Sequence, residues 1–165
     1  MKIHKITRRG LSALFVLLLA GIWVSASQAD SGIALSAGQT VYVSIYSHIY
    51  SGLKGRPFNL AATLSIRNTD PKHPISLVSV KFYDSEGKLV KAYLDNPVEL
   101  KAMASTRYIL TEADTGGGSG ANFLVKWKSK TNVNPPLIEG VMIGTRSGQG
   151  ISFVSRGQVI KDESN

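Results

Sequence analysis

The sequence predicts an all-β fold, an antiparallel β-sandwich of about eight or nine short strands, Ig-like in architecture. Three observations predict it. Apolar and polar residues alternate with period two through much of the stretch from Thr40 to Ile160. Clusters of Gly, Pro, Asn and Asp interrupt that alternation at roughly 10-residue spacing. No window keeps apolar residues at i, i+3, i+4 and i+7 for three turns, as an amphipathic helix requires. A closed β-barrel is the alternative that the same pattern allows.

The elements follow in order. From Thr40, Val41, Val43, Ile45 and Ile49 fall on one face of a strand, with Tyr42, Ser44, Tyr46, His48 and Tyr50 on the other. Ser51 to Pro57, holding two glycines and a proline, breaks it. Leu60, Ala62, Leu64 and Ile66 then point inward, against Ala61, Thr63, Ser65 and Arg67. Asn68-Thr69-Asp70-Pro71 is turn chemistry, since Asn and Asp side chains bond their own backbone. Val78, Val80 and Phe82 make a third inward face, and Asp84-Ser85-Glu86-Gly87 turns the chain into Leu89–Leu94. After Asp95-Asn96-Pro97, Ser105–Thr111 is a short strand, and the loop Gly116–Gly120 leads into alternating Phe123, Val125 and Trp127. Asn134-Pro135-Pro136 stops that strand. Leu137–Ile143 is nearly continuous apolar and predicts a central strand buried on both sides. Ile151, Phe153 and Val154 lie in the last clear strand, with Val159 and Ile160 an added edge.

The N-terminus reads as a signal peptide over residues 1–29. Lys2, Lys5, Arg8 and Arg9 precede the apolar stretch Leu11–Val24, and Ser25-Ala26-Ser27-Gln28-Ala29 supplies small residues for cleavage after Ala29, with Ala26 the second choice. The apolar run is short of the roughly 20 residues that span a bilayer as a helix. Retention of the run as an anchor is the alternative to cleavage. Thr7-Arg8-Arg9-Gly10-Leu11 also allows the twin-arginine route, but the general secretion route is favoured. The expected layout is a flexible leader over 30–39, one domain over 40–160 and a polar tail over 161–165. The expected location is periplasmic or secreted.

Removing residues 1–29 changes the charge balance. The whole chain carries a net +8, whereas from Asp30 onward 15 Lys+Arg face 11 Asp+Glu. That mild surplus does not call for nucleic acid. The absence of cysteine excludes disulfides, thiolate zinc sites, cysteine nucleophiles and a lipid anchor on Cys. Sheet packing alone must hold the domain together.

Several ordered blocks carry a family resemblance: Ser47-His48-Ile49-Tyr50, Leu64 to Asp70, Gly118 to Phe123, Ile138 to Thr145 and Gln149 to Phe153. Over about 40–160 the chain resembles a family of small exported bacterial proteins classed as a domain of unknown function. The resemblance implies a bacterial origin and an exported single domain, and brings no reaction, ligand or cofactor.

The candidate binding residues are Tyr42, Tyr46, His48, Tyr50, Arg67, Gly118, Ser119, Asn122 and Glu139. A face of tyrosines could stack a sugar ring or a peptide, and equally could pack under a loop. The glycine loop could form an anion nest or be a plain connection. It lacks the lysine and helix of a P-loop, and the helix of a nucleophile elbow. Lys126, Lys128 and Lys130 could meet an acidic partner or protect an edge strand. Glu139, an acid inside an apolar run, could be a buried site carboxylate paired with Arg67 or Arg107, or an outward residue. The expected function is a non-enzymatic binding module for an unknown protein or cell-envelope component, with no cofactor, no catalytic residue and no transmembrane helix in the mature chain. The alternatives are a cell-envelope enzyme using His48 and Glu139, and a weak metal carrier. His48, His73, Met103 and Met142 are too scattered in sequence to suggest a soft-metal cluster.

Overall fold

A computed structural model describes residues 34–51, 55–146 and 148–163. Strands follow the alternation. They are β1 (Ser36–Ser44), β2 (His48–Ser51), β3 (Arg56–Asn59), β4 (Ala61–Arg67), β5 (Ile75–Tyr83), β6 (Leu89–Ala92), β7 (Val98–Leu100), β8 (Ser105–Leu110), β9 (Asn122–Val133), β10 (Leu137–Arg146), β11 (Gln149–Arg156) and β12 (Gln158–Asp162). One 3-10 turn, Thr115–Gly117, is the only helical element among the described residues. The fold is all-β, and every strand pairing is antiparallel.

The larger sheet runs β12-β1-β9-β5-β6, with β7 also on β5. The smaller runs β11-β10-β4-β8, and β2–β3 is a separate hairpin. Neither sheet closes on itself, so the barrel alternative does not hold for the described residues. Val41, Val43, Phe123, Val125 and Trp127 of the larger sheet share one buried core with Leu64, Ile66, Leu110, Ile138 and Met142 of the smaller. Each such side chain contributes roughly 1.5–3 kcal/mol when taken from water. At Gly157, between β11 and β12, the chain passes from one sheet to the other. Its N–H donates to the Ile138 carbonyl at 2.8 Å, and a Cβ there would lie 2.6 Å from Val41 and 2.8 Å from that carbonyl.

Several expectations change. The targeting segment over 1–29 lies outside the described residues. Strand β1 begins at Ser36, inside the stretch read as a leader, where Ser36 and Gln39 are buried. Their side chains donate to the Asp162 carboxylate at 2.9 and 3.1 Å, which draws the start of the supposed tail into β12. The stretch Ser51–Pro57 does not simply break a strand, because it holds the end of β2 and the start of β3. In β5 the inward residues are Ile75, Leu77, Val80 and Phe82, and Val78 is half-buried. An irregularity between Leu77 and Ser79 inserts a residue and flips the phase of the alternation. Strand β10 is central, but of residues 137–145 only Ile138, Gly140, Met142 and Gly144 are buried, and Leu137 and Ile143 are exposed. Its apolar run covers two faces, one of them open. Strand β9 lies between β1 and β5 with Lys126 and Lys128 paired on both sides, so these two protect no edge, while neither register includes Lys130. Lys126 and Lys128 instead pair with Glu163 at 2.8 and 3.3 Å, and Lys126 first, then Lys128, holds that carboxyl below the usual range.

The loop after β4 is held by side chains. Buried Asn68 donates through Nδ2 to the carbonyls of His73 (2.9 Å), Leu100 (3.3 Å) and Lys101 (3.0 Å). Its Oδ1 accepts the Asp70 N–H. Asp70 Oδ1 accepts the Lys72 and His73 amides and meets the His73 ring, and Oδ2 accepts the Asn134 amide at 3.1 Å. Chiefly the Lys72 amide, with those of His73 and Asn134 and against partial desolvation, lowers the Asp70 carboxyl from 3.8 to about 2. One Asn-x-Asp unit thus ties together the connections before β5, before β8 and before β10.

Candidate functional site

The predicted tyrosine face is divided by the end of β1. Past Ser44 the chain leaves the sheet: Ile45 N–H donates to the Ala121 carbonyl and Ser47 N–H to the Gly118 carbonyl. Tyr42 stays on the outer face of the larger sheet, between Leu124 and Gln158. Half-buried Tyr46 packs edge-on against Phe153 of β11, with ring centroids 5.6 Å apart. His48 Nε2 lies 3.2 Å from the Tyr50 hydroxyl, and Tyr50 is exposed.

The glycine loop adjoins this segment and is tightly strapped. Ser85 Oγ donates to the Gly117 carbonyl and accepts the Gly120 N–H, both at 2.9 Å. Gly117 is buried, and a Cβ there would lie 2.5 Å from Phe82. Gly118 takes a φ of 77°, which glycine tolerates. Ser119 is half-buried, and Asn122 opens β9 between Ser44 and Tyr83. Tyr46, His48, Gly118 and Asn122 therefore fall at one end of the molecule, while Arg67 and Glu139 lie elsewhere.

His48 and Glu139 are far apart. His48 pairs with Asn59, which packs on Gly144 of β10. Glu139 is five residues earlier on that strand, roughly 16 Å away at the rise of a β-strand. This corrects the acid–base pairing. Among the described residues no three His, Cys, Asp or Glu side chains gather as for a metal ion.

The smaller sheet presents an outer face that its register defines. Arg107 (β8), Ser65 (β4), Glu139 (β10) and Arg156 (β11) form one row. Ile109, Thr63, Val141 and Val154 form the next, then Ala61, Ile143 and Ser152. On the other side of the first row stand Ser105, Arg67 and Leu137. Ile109, Ile143 and Val154 are 57%, 51% and 54% exposed. This face thus carries an aliphatic patch of Val141, Ile143 and Val154, with Ile109 beyond Thr63, bordered by three arginines and one acid. Glu139 is the half-buried outward residue of its strand. At one corner a depression of about 310 Å³ is lined by Arg67, Arg107, Thr63, Ser65, Ser105, Thr106 and Val141. Arg67 Nε donates to Ser65 Oγ at 3.2 Å, and neither Arg67 nor Arg107 has an acidic partner among the described residues. The sequence marks Arg67 and Glu139 as candidates and Arg107 as a possible partner of Glu139, but does not single out Ile109, Val154 and Arg156. The only signal for these three is that they are large or basic at outward strand positions.

A second cleft, of about 420 Å³, lies between the start of β5 and the far end of β9, lined by Pro74, Ile75 and the stems of Lys128 and Lys130. No helix among the described residues is long and apolar enough to cross a membrane.

A family model described as a protein of unknown function (DUF3124) matches residues 38–160. No curated protein matches the chain. A solved structure, "Crystal Structure of Thermotoga maritima 1070", is similar at 16% identity, covering 73% of this chain and 92% of that chain with a TM-score of 0.44.

Proposed function

Since the chain belongs to this DUF3124 family of unknown function, we propose that it is an exported bacterial, non-enzymatic binding module. We read its two sheets around one core as an Ig-like sandwich, and the outer face of the β11-β10-β4-β8 sheet as its contact surface. The partner is a protein whose own surface pairs aliphatic groups with acidic ones. The observation that carries this reading is the exposure of Ile109, Ile143 and Val154 around half-buried Val141 on one face of the sheet. Contiguous exposed apolar surface rimmed by polar groups marks protein contacts. Arg67, Arg107 and Arg156 against the single Glu139 make the rim net positive, which selects an acidic partner. Export is supported by the Lys2 to Arg9 basic segment, the apolar run after it and Ser27/Ala29.

The protein isolated under native conditions from its producing cell should migrate as a complex larger than the single chain. Val154→Asp and Ile109→Asp should release it, losing about 2 kcal/mol or more per central apolar contact. Leu89→Asp, on β6 of the other sheet, should not. A complex unaffected by the first two substitutions would place the contact elsewhere.

A further inference from the structure

The depression at the corner of the contact face has a chemistry of its own, and what it takes rests on the reading of that face as the partner surface. Every side-chain polar group that lines it is a guanidinium or a hydroxyl, and no carboxylate is among them. The register sets the arginines close. Arg67 stands opposite Ser105 and Arg107 opposite Ser65, so the two are diagonal neighbours on adjacent strands. Such neighbours lie about 7–8 Å apart at the backbone, within reach of two long side chains for one group. The Arg67 Nε bond to Ser65 Oγ turns its fork along β4 toward the row that holds Arg107.

Two like charges held this way repel, and an anion between them removes the cost. Glu139 pairs with neither arginine among the described residues. It is a diagonal neighbour of Arg67 across β10 and β4, but stands about two strand spacings or 10 Å from Arg107, and opposite Arg156. The neighbouring aliphatic row says what carries the anion, since a surface that covers Ile109 and Val154 is a polypeptide's. We propose that the Arg67–Arg107 depression is an oxyanion subsite that receives the carboxylate of an Asp or Glu side chain of the partner. Two guanidiniums suit a planar carboxylate, which accepts paired hydrogen bonds from each fork.

The test is an amide-shift titration of the isotope-labelled protein with succinate and, separately, with inorganic phosphate, at fixed ionic strength. Succinate should give saturable shifts at Ser65, Thr106 and Arg107. Arg67→Gln and Arg107→Gln should each weaken it about tenfold or more, as expected for a lost charged hydrogen bond. Lys88→Gln, in the turn before β6 of the other sheet, should leave it unchanged. The absence of saturable shifts would overturn the subsite. Phosphate binding tenfold tighter than succinate would overturn the carboxylate assignment. If succinate fails while Val154→Asp still releases the partner, only the subsite falls. If succinate binds while that variant keeps its partner, the contact face falls.

Discussion

At the scale of single residues, Asp70 has the most exposed consequence. Its carboxyl is lowered from 3.8 to about 2 in the folded chain. A depressed carboxyl stabilises the fold above its ordinary value, and that stabilisation drains away as pH falls through the folded value. The wild-type protein should therefore lose stability between about pH 4 and pH 2. Asp70→Asn should be less stable at pH 7 and show a flatter profile across that window, measured by denaturant unfolding. Asn68→Ala should cost roughly 1–3 kcal/mol, because it leaves buried carbonyls without a donor. Part of this knot was legible. Asn68-Thr69-Asp70-Pro71 reads as a self-bonding turn, and the Asn68 Oδ1 bond to Asp70 N–H is that turn. The rest was not legible, since Leu100, Lys101 and Asn134 lie 32, 33 and 64 residues away from the groups they meet. Local composition carries no record of such partners.

At the scale of elements, period-two alternation located β4 and β9 with their buried faces. It failed where the backbone slips phase or changes sheet. In β5 the irregularity after Leu77 makes Leu77 and Val80 inward together, which no regular period predicts. In β3 only Phe58 is buried, so there is no period to read. The lysines of β9 were recognised as one stripe, but their environment depends on neighbours, and Glu163 comes from the other end of the chain. Gly157 gives the sharpest test at this scale. With a Cβ 2.8 Å from the Ile138 carbonyl, backbone would have to move. Gly157→Ala should destabilise by roughly 1–3 kcal/mol, the range for overpacking, and thermal unfolding would register it. An unchanged melting temperature would mean that β11 and β12 adjust freely about this crossover.

At the scale of the whole molecule, the strand-rich architecture was legible from turn spacing and alternation, but the sheet order was not. The contact face depends on that order. Arg107, Ile109, Val154 and Arg156 meet Arg67 and Glu139 only because β11, β10, β4 and β8 lie side by side. Their sequence positions span 67 to 156 with a second sheet interleaved. The proposed export makes a separate prediction: the protein recovered outside the cytoplasm should begin at Asp30, and an N-terminus at Met1 would contradict cleavage. The most direct test of the contact face is crosslinking in the producing cell, with a photoreactive residue at position 154, 109 or 89 in turn. The binding-module account predicts one discrete protein adduct from positions 154 and 109, abolished by charge reversal at Arg67 and Arg107, and none from position 89. An adduct from position 89 with none from 154 or 109 would contradict it.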